Sequence, residues 1–239
     1  MCSFTLGADP ELVVRQNGKF VNAHNFFKSQ SSLGLDGCES IAELRPGWSE
    51  SPIDLTAKIY QILEYGNSKY PQLEFISGHF VDNYSLGGHI HFSLQPTSEI
   101  INNLDTVLYS LSNCIDDRDQ RTKRERCGYG KRKAFRKQPH GMEYRTPGSW
   151  LLSPSTALVS LTLAKLAVIG SQDLGLNFEE IKGRQHSSTF LRNFKNYFSE
   201  IPADCEEGLK ELDQLLSKGT LNWNQNILPN WGLISREAA

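Results

Sequence analysis

The chain has 239 residues, and its 25 lysines and arginines nearly balance its 27 aspartates and glutamates, for a formal net charge of −2. This length supports a hydrophobic core without disulfide or metal staples, and the overall charge identifies no partner by itself. The five cysteines contain no C-x-x-C pair and leave one over, which is typical of a reduced cytosolic protein. We find no apolar run of membrane length and no signal peptide, so we expect one cytoplasmic domain over residues 1–239 without a membrane partner.

The N-terminal segment is predicted to be a hairpin of two strands joined by Asn17-Gly18, since both residues tolerate positive φ. Asp9 and Glu11 are two residues apart, so an extended chain directs both carboxylates to one face. Pro10 between them has no N–H to donate, which indicates a strand start, an edge or a bulge. A polar turn before a strand is the simpler interpretation of this motif taken alone.

A loop over residues 22–38, which contains Asp36, precedes the next charged motif. If residues 39–45 are extended, Glu43 and Arg45 share a face of the strand. A helix is then predicted to begin at Ser51-Pro52, because serine caps free N–H groups and proline fits the first turn. Residues 73–77 predict another strand.

Gly87-Gly88-His89-Ile90-His91-Phe92-Ser93 is the stretch around which the chain is organised. In a strand, His89 and His91 share one face while the apolar residues line the other. The two glycines before them allow close approach of backbone or ligand. Two imidazoles placed in this way suit a metal, or a polyanion held by metal. The alternative is a pair of half-buried histidines that hydrogen-bond to their neighbours.

A helix is predicted from Thr97, and after it the composition becomes strongly basic. Residues 118–137 contain ten lysines and arginines, among them Lys131, Arg132 and Arg136, and only two acids. A run this basic is usually solvated or binds nucleic acid. Because it lies between a helix and a strand, it is also placed to fold over a phosphate chain.

Glu143 and Arg145 repeat the earlier spacing of a carboxylate and a guanidinium, again with Pro-Gly close behind. A salt bridge along one strand accounts for a single such pair, but two pairs beside other charged candidates indicate a site. An apolar helix over residues 154–169 follows. We expect a catalytic sheet core over about residues 4–155 and a helical cap over about 154–239.

The acidic residues of these motifs would repel one another if they shared one surface unpaired. Divalent cations remove that penalty, and oxygen ligands with an imidazole favour Mg²⁺ or Mn²⁺ over zinc. Arg45, Arg145 and the basic segment would then meet phosphate oxygens, which predicts phosphoryl transfer. The chain has no P-loop. The candidate metal ligands from the residues are Asp9, Glu11, Asp36, Glu43, His89 and Glu143.

Four motifs in order resemble the carboxylate–amine ligases of the glutamine synthetase and glutamate–cysteine ligase superfamily, in particular the amidoligase type 2 group of tailed phages. They are Gly7-Ala-Asp9-Pro-Glu11, Glu43-Leu-Arg45-Pro, Gly87-Gly-His89-Ile-His91 and Glu143-Tyr-Arg145-Thr-Pro. The resemblance implies an α+β fold with a mainly antiparallel catalytic sheet backed by helices. It also implies ATP, two or more Mg²⁺ or Mn²⁺ ions and an acyl-phosphate intermediate. The metal ligands it implies are Glu11, Glu43, His89 and Glu143, whereas Asp9 stands where some relatives have a second glutamate.

The predicted activity is an ATP-dependent ligase that forms an amide or isopeptide bond, acting as a phage protein in the host cytoplasm. The candidate catalytic residues are Arg45, Glu143 and Arg145, and the candidate cofactor-binding residues are His91, Lys131, Arg132, Arg136 and Arg145. The carboxylate and amine substrates are small molecules or modified macromolecules, with nucleic acid left open. Two alternatives remain: a metal-dependent amide hydrolase, and a non-enzymatic nucleic-acid-binding protein that uses residues 118–137.

Overall fold

The computed structural model describes residues 3–233. Within that range nine strands form one sheet, two more form a hairpin, and all strand pairs are antiparallel, so the predicted α+β class is confirmed. The strands are β1 (Leu6–Gln16), β2 (Lys19–Val21), β3 (Leu33–Leu35), β4 (Ala42–Leu44), β5 (Trp48–Ser49), β6 (Leu73–Ile76), β7 (Phe80–Val81), β8 (Tyr84–Ser85), β9 (Gly88–Phe92), β10 (Phe135–Gln138) and β11 (Gly141–Tyr144). The α-helices are α1 (Pro52–Lys69), α2 (Ser98–Ile115), α3 (Arg118–Arg126), α4 (Pro154–Gln172), α5 (Phe178–Lys182), α6 (Ser187–Arg192) and α7 (Ala203–Lys218).

Strand β1 is the centre of the sheet because it pairs with five other strands. Its first half pairs with β9 and β5, and its second half pairs with β4, β6 and β2. Pro10 is the last residue of β1 paired with β9, and pairing with β4 begins at Glu11. A residue without an N–H is tolerated at such a change of partner. The turn at Asn17-Gly18, with φ of 52° and 71°, joins β1 to β2 as expected.

Local sequence explains where the long helices begin. Ser51 caps α1 through its side-chain oxygen, and Pro52 lies in the first turn. Thr97 caps α2 in the same way. Ser153 and Thr156 form a capping box at the start of α4.

Alternation along the strands gives the sheet two different faces. Residues such as Leu6, Leu12 and Val14 of β1 lie in the main core with the buried sides of α1, α2 and α4. Asp9 and Glu11 therefore lie on the opposite face, which the three helices do not cover. We call this opposite surface the open face of the sheet.

By length and composition alone, helix α4 could cross a membrane, although no apolar run of membrane length was expected from the sequence. However, 78% of that apolar window is buried inside the protein. It packs between other elements as the central helix of the core, and α7 covers it on one side. Short helices α5 and α6, with the 3-10 turn Phe194–Tyr197 after them, add an aromatic group that includes Phe178, Phe190 and Phe194.

Two loops contain more regular structure than the sequence predicted. Residues 22–38 include a 3-10 turn at Ala23–Asn25 and strand β3, which pairs with β4. The basic segment begins with helix α3, whose N-terminus is capped by the carboxylate of Asp117. Five of the nine residues of α3 are basic, so no apolar stripe indicated a helix there.

Candidate active site

Acids and histidines from four neighbouring strands meet on the open face. Strand register brings them together in pairs: Asp9 stands opposite His89, Glu143 opposite His91, and Glu11 opposite Glu43. Most of these side chains are almost completely buried. We call the following group the acid–histidine cluster: Asp9 and Glu11 of β1, Glu43 of β4, His89 and His91 of β9, and Glu143 of β11.

A metal ion could be held by Asp9, His91 and Glu143, because one ligand atom from each lies within 4.8 Å of the other two. We call these three residues the metal triad. His91 Nε2 is 3.0 Å from Asp9 Oδ2. Burial raises the pKa of Asp9, but the hydrogen bond and charge of His91 outweigh it, so the net pKa is lowered. The other oxygen, Asp9 Oδ1, is buried and has no hydrogen-bond partner, so a ligand atom is available at this point.

His89 lies at the centre of the cluster, with three carboxylates around one ring nitrogen. Its Nδ1 is 3.4 Å from Glu143 Oε1, 3.6 Å from Asp9 Oδ1 and 3.7 Å from Glu11 Oε1. Burial lowers the pKa of His89 to about 3, against the opposing effect of Asp9. The imidazole is therefore neutral near pH 7, which is the form that binds metals.

A second group of acids consists of Glu11, Glu43 and Asp36, which follows β3. Burial and the charge of Asp36 raise the pKa of Glu11 to about 7. Burial and the charge of Asp9 raise the pKa of Glu43 to about 9, and Asp36 hydrogen-bonds to the same carboxyl. The fold thus holds these acids in a place where ionisation is disfavoured unless positive charge is added.

Two arginines border the cluster as the spacing of the motifs predicted. Arg45 Nη2 is 2.7 Å from Glu43 Oε1, and the same guanidinium donates to main-chain carbonyls of Ser31 and Leu35. Arg145 Nη1 donates to Glu143 Oε1. Both arginines are held beside the acids and remain partly exposed, which leaves donors available to an anionic ligand.

The three basic candidates of residues 131–136 are placed differently. Arg136 reaches the cluster, with Nη1 3.5 Å from Glu143 Oε2. Arg132 instead pairs with Asp105 of α2 at 2.7 Å and lies over the ring of Tyr109. Lys131 is exposed. Of these three, the structure brings only Arg136 together with the acids.

Tyr129 and Arg124 complete the site, and neither is among the site residues predicted from the sequence. The hydroxyl of Tyr129 donates to Glu11 Oε1 at 2.6 Å and lies 3.2 Å from His89 Nε2. Arg124 is 1% exposed, donates to two main-chain carbonyls and lies 5.0 Å from the centre of the Tyr129 ring. Burial lowers the pKa of Arg124 to about 10. The signal was the sequence Gly128-Tyr129-Gly130, whose glycines both have positive φ and let the chain turn the tyrosine inwards.

The glycines before His89 allow a close approach, as expected. A Cβ at Gly88 would collide with the main-chain oxygen of Gly148 and with the indole of Trp150, which donates from Nε1 to Gly88 O at 2.9 Å. A Cβ at Gly87 would collide with the His89 ring, while the Gly87 N–H donates to Glu11 Oε2 at 2.7 Å. The close approach is therefore made by the protein's own backbone at Gly88 and by its side chains at both glycines.

A groove of about 760 Å³ runs along the open face next to the metal triad. Its far side contains Trp48 of β5, and His140 from the β10–β11 turn lies near the triad, with Nε2 3.4 Å from His91 Nδ1. The groove gives a substrate access to the partly exposed side of the cluster. It is lined by Thr5, Gly7, Ala8, Asp9, Glu43, Arg45, Gly47, Trp48, His91, Phe92, Ser93 and His140.

Comparison with known proteins agrees with the resemblance that the four motifs showed. A search of curated proteins gave no match. A family model described as "Phage phiEco32-like COOH.NH2 ligase-type 2" matches residues 6–238, which is nearly the whole chain. The chain belongs to this family of COOH-NH2 ligases.

Proposed function

We propose that the protein is an ATP-dependent carboxylate–amine ligase that works through an acyl phosphate. The observation that carries the proposal is the acid–histidine cluster with two arginines, Arg45 and Arg145, at its edge. Metal ligands beside guanidinium groups are typical of a site that positions a phosphate group and neutralises its charge. A metal-dependent amide hydrolase would leave the two arginines unexplained.

The side chains fit divalent cations on three grounds. The cluster has more carboxylates than its bordering arginines can balance, because His89 is neutral, and Asp9 Oδ1 is an unsatisfied buried acceptor. Carboxylates with one or two imidazoles suit Mg²⁺ or Mn²⁺. In this proposal Asp9, His91 and Glu143 hold one ion, while Glu11, Glu43 and Asp36 offer a second position, with His89 between them. Such ions supply charge neutralisation for phosphate oxygens.

The reaction then proceeds in two transfers. An oxygen of the substrate carboxylate attacks the γ-phosphorus of ATP, the bond to the β-phosphate oxygen breaks, and ADP leaves. A neutral amine then attacks the acyl carbon, the bond from that carbon to the phosphate oxygen breaks, and phosphate leaves. The nitrogen gives up one proton to solvent, which leaves the amide. Arg145 and Arg45 bind the phosphoryl oxygens as charge develops on them, and Arg136, which lies 3.5 Å from Glu143 Oε2, extends this positive edge.

The two substrates are a carboxylate and an amine, either small molecules or groups on a modified macromolecule. The exposed basic residues Arg118, Lys123 and Arg126 of α3 favour an anionic macromolecule such as nucleic acid. We place the reaction in the cytoplasm of a phage-infected bacterial cell, where ATP and Mg²⁺ are available.

The test is ADP release from ATP with Mg²⁺ over a panel of amino acids, polyamines and modified nucleotides. Hydroxylamine added to the active combination should trap the acyl phosphate as a hydroxamate. Carboxylate-dependent ADP release with hydroxamate formation supports the proposal. Amine release from amide substrates in the absence of ATP would instead identify a hydrolase.

A further inference from the structure

One aromatic side chain on the open face stands apart from the others. Trp48 is 72% exposed, whereas Trp150, Trp223 and Trp231 are 4%, 7% and 3% exposed. Single exposed apolar residues are common on protein surfaces and carry no meaning by themselves. The position of Trp48 in the sheet is what distinguishes it.

Strand register places Trp48 in one row with the metal triad. Trp48 pairs with Gly7, Gly7 pairs with His91, and His91 pairs with Glu143. Residues directly opposite in antiparallel pairs project from the same face, so Trp48 emerges on the open face. Neighbouring strands are about 4.8 Å apart, so two spacings, or about 10 Å, separate Trp48 from His91. This separation is comparable to the distance between the base and the terminal phosphate of a nucleotide.

Gly7 leaves the floor of the groove free of side-chain atoms between Trp48 and the metal triad. A Cβ at this position would come within 3.3 Å of His91 Cβ and of Gly47 O, so any side chain here would fill the floor of the groove. Thr5 and Ser93 lie further along the same floor. The row therefore has His91 and Glu143 of the metal triad at one end and the indole ring of Trp48 at the other, with Gly7 between them.

We propose that Trp48 is the stacking platform for the base of the nucleoside triphosphate, with the phosphates directed at the metal triad. This inference rests on the proposed ATP-dependent function and adds the residue that binds the base. Stacking on an indole face suits any planar base and buries apolar surface that Trp48 otherwise exposes to water. The carbonyl of Trp48 accepts a hydrogen bond from Lys58 Nζ at 3.0 Å, so β5 is anchored without the indole.

The first measurement is acrylamide quenching of tryptophan fluorescence in the wild-type protein. Because the other three tryptophans are buried, quenching reports on Trp48. The imido analogue of ATP with Mg²⁺ should lower the quenching constant severalfold, and inorganic tripolyphosphate with Mg²⁺ should leave it unchanged. Equal protection by both, or by neither although both bind, overturns the inference while the ATP-dependent function stands.

The second measurement is the affinity of the same two ligands for Trp48→Ala and Trp48→Phe. Loss of stacking should weaken binding of the ATP analogue by roughly tenfold to a hundredfold in Trp48→Ala, while phenylalanine retains most of the affinity. Tripolyphosphate should bind equally in all variants. Tyr65→Ala, which removes another exposed aromatic residue from α1, is the matched control and should bind both ligands as wild type.

The outcomes separate the two proposals. If Trp48→Ala binds the ATP analogue with wild-type affinity, the stacking role of Trp48 is rejected, while the proposed ligase function is unaffected. Equal weakening of both ligands shows that Trp48 only supports the groove, which also overturns the inference. If neither ligand binds wild-type protein with Mg²⁺, the proposed function fails and the inference fails with it. Should Trp48→Ala not fold, Trp48→Phe and the quenching experiment decide.

Discussion

Glu11 and Glu43 stand directly opposite each other on neighbouring antiparallel strands, and both carboxyls are held in a buried environment that raises their pKa. Like charges at directly opposed positions destabilise a sheet. The fold accommodates the pair through specific donors, from Tyr129 and Gly87 to Glu11 and from Arg45 to Glu43. The pair is consequently the part of the site that should respond most strongly to pH and to cations.

We predict that the metal-free protein loses stability as pH rises from 6.5 to 9. Raised native-state pKa values mean that the folded protein binds protons more tightly than the unfolded chain in this interval, so deprotonation favours unfolding. The Glu43 pKa of about 9 corresponds to a loss of up to about 3 kcal/mol over this interval. Burial lowers the pKa of His91, but the hydrogen bond and the charge of Asp9 outweigh it, so the net pKa is raised. His91 therefore contributes to the same loss of stability. His89 is neutral in the folded protein throughout this interval and opposes the loss only below about pH 7.5, where the unfolded histidine still binds part of a proton.

Urea unfolding in EDTA and in Mg²⁺ at several pH values measures this effect. A cation favours the ionised carboxylates and should flatten the pH dependence. Glu43→Gln removes the titrating group and should flatten it without metal. If the free energy of unfolding changes with pH by the same slope in EDTA and in Mg²⁺, this result counts against a cation at Glu11 and Glu43.

Glu143→Gln should abolish turnover and leave the fold intact. Glutamine keeps the size and the hydrogen bond from Gln138 but removes the charge that a cation needs. We expect a loss larger than the roughly 10–100-fold typical of groups that only orient metal ligands. Phosphate release and thermal melting are measured together. Asp82→Asn is the matched control, since Asp82 pairs with Arg15 outside the cluster and asparagine accepts its φ of 49°; unchanged turnover in Glu143→Gln removes this residue from the chemistry.

Arg145→Lys should lower turnover by roughly a hundredfold, on the scale of a lost transition-state donor. Lysine offers a point charge where the guanidinium fork binds two phosphate oxygens. Nucleotide affinity should change less, because the contact strengthens as charge develops on the transferred group. Arg15→Lys, which alters a bidentate pair with Asp82 away from the site, is the control. Equal turnover in wild type and Arg145→Lys would reject the role of Arg145 and weaken the case for an acyl phosphate.

Tyr129→Phe should reduce activity by roughly 10–100-fold, since it removes a donor that orients a metal ligand. The hydroxyl stabilises the charged form of Glu11, so its loss should raise the pKa of Glu11 further and move the acid limb of the pH–rate profile to higher pH. Tyr65→Phe removes an exposed hydroxyl that accepts from Lys69 and serves as the control. A lower rate with an unshifted profile would show that Tyr129 only packs against the site.

The sequence was informative wherever a short local pattern determines the structure. The alternation of His89 with Ile90 and the spacing of Glu43 and Arg45 correctly indicated which side chains share a face, because strand geometry alone decides it. Caps at Ser51 and Thr97 located two helices. The four motifs in order were enough to identify the family.

Contacts between distant segments were not predictable in this way. Tyr129 reaches Glu11 only because the chain after α3 turns back over β1; Gly128 and Gly130 indicate a turn but not the strand that the turn meets. Arg132 was a phosphate-binding candidate by composition, but the buried carboxylate of Asp105 on α2 binds it. His91 was expected near the nucleotide, and the distances group it with Asp9 and Glu143 as well. These outcomes depend on strand order, which the sequence does not display.

The central position of β1 has a consequence for how the protein acquires its site. β1 is synthesised before its partner β9, which follows about eighty residues later, and Glu143 on β11 comes later still. Pairings of such long range form slowly, since the intervening chain must first be closed into loops. A nascent chain can pair β1 with β2, β4 and β5 early, but the edge of β1 that pairs with β9 stays unpaired until β9 has been synthesised. A chain that ends before β11 contains only part of the metal triad. Catalytic competence should be among the last properties to appear during folding.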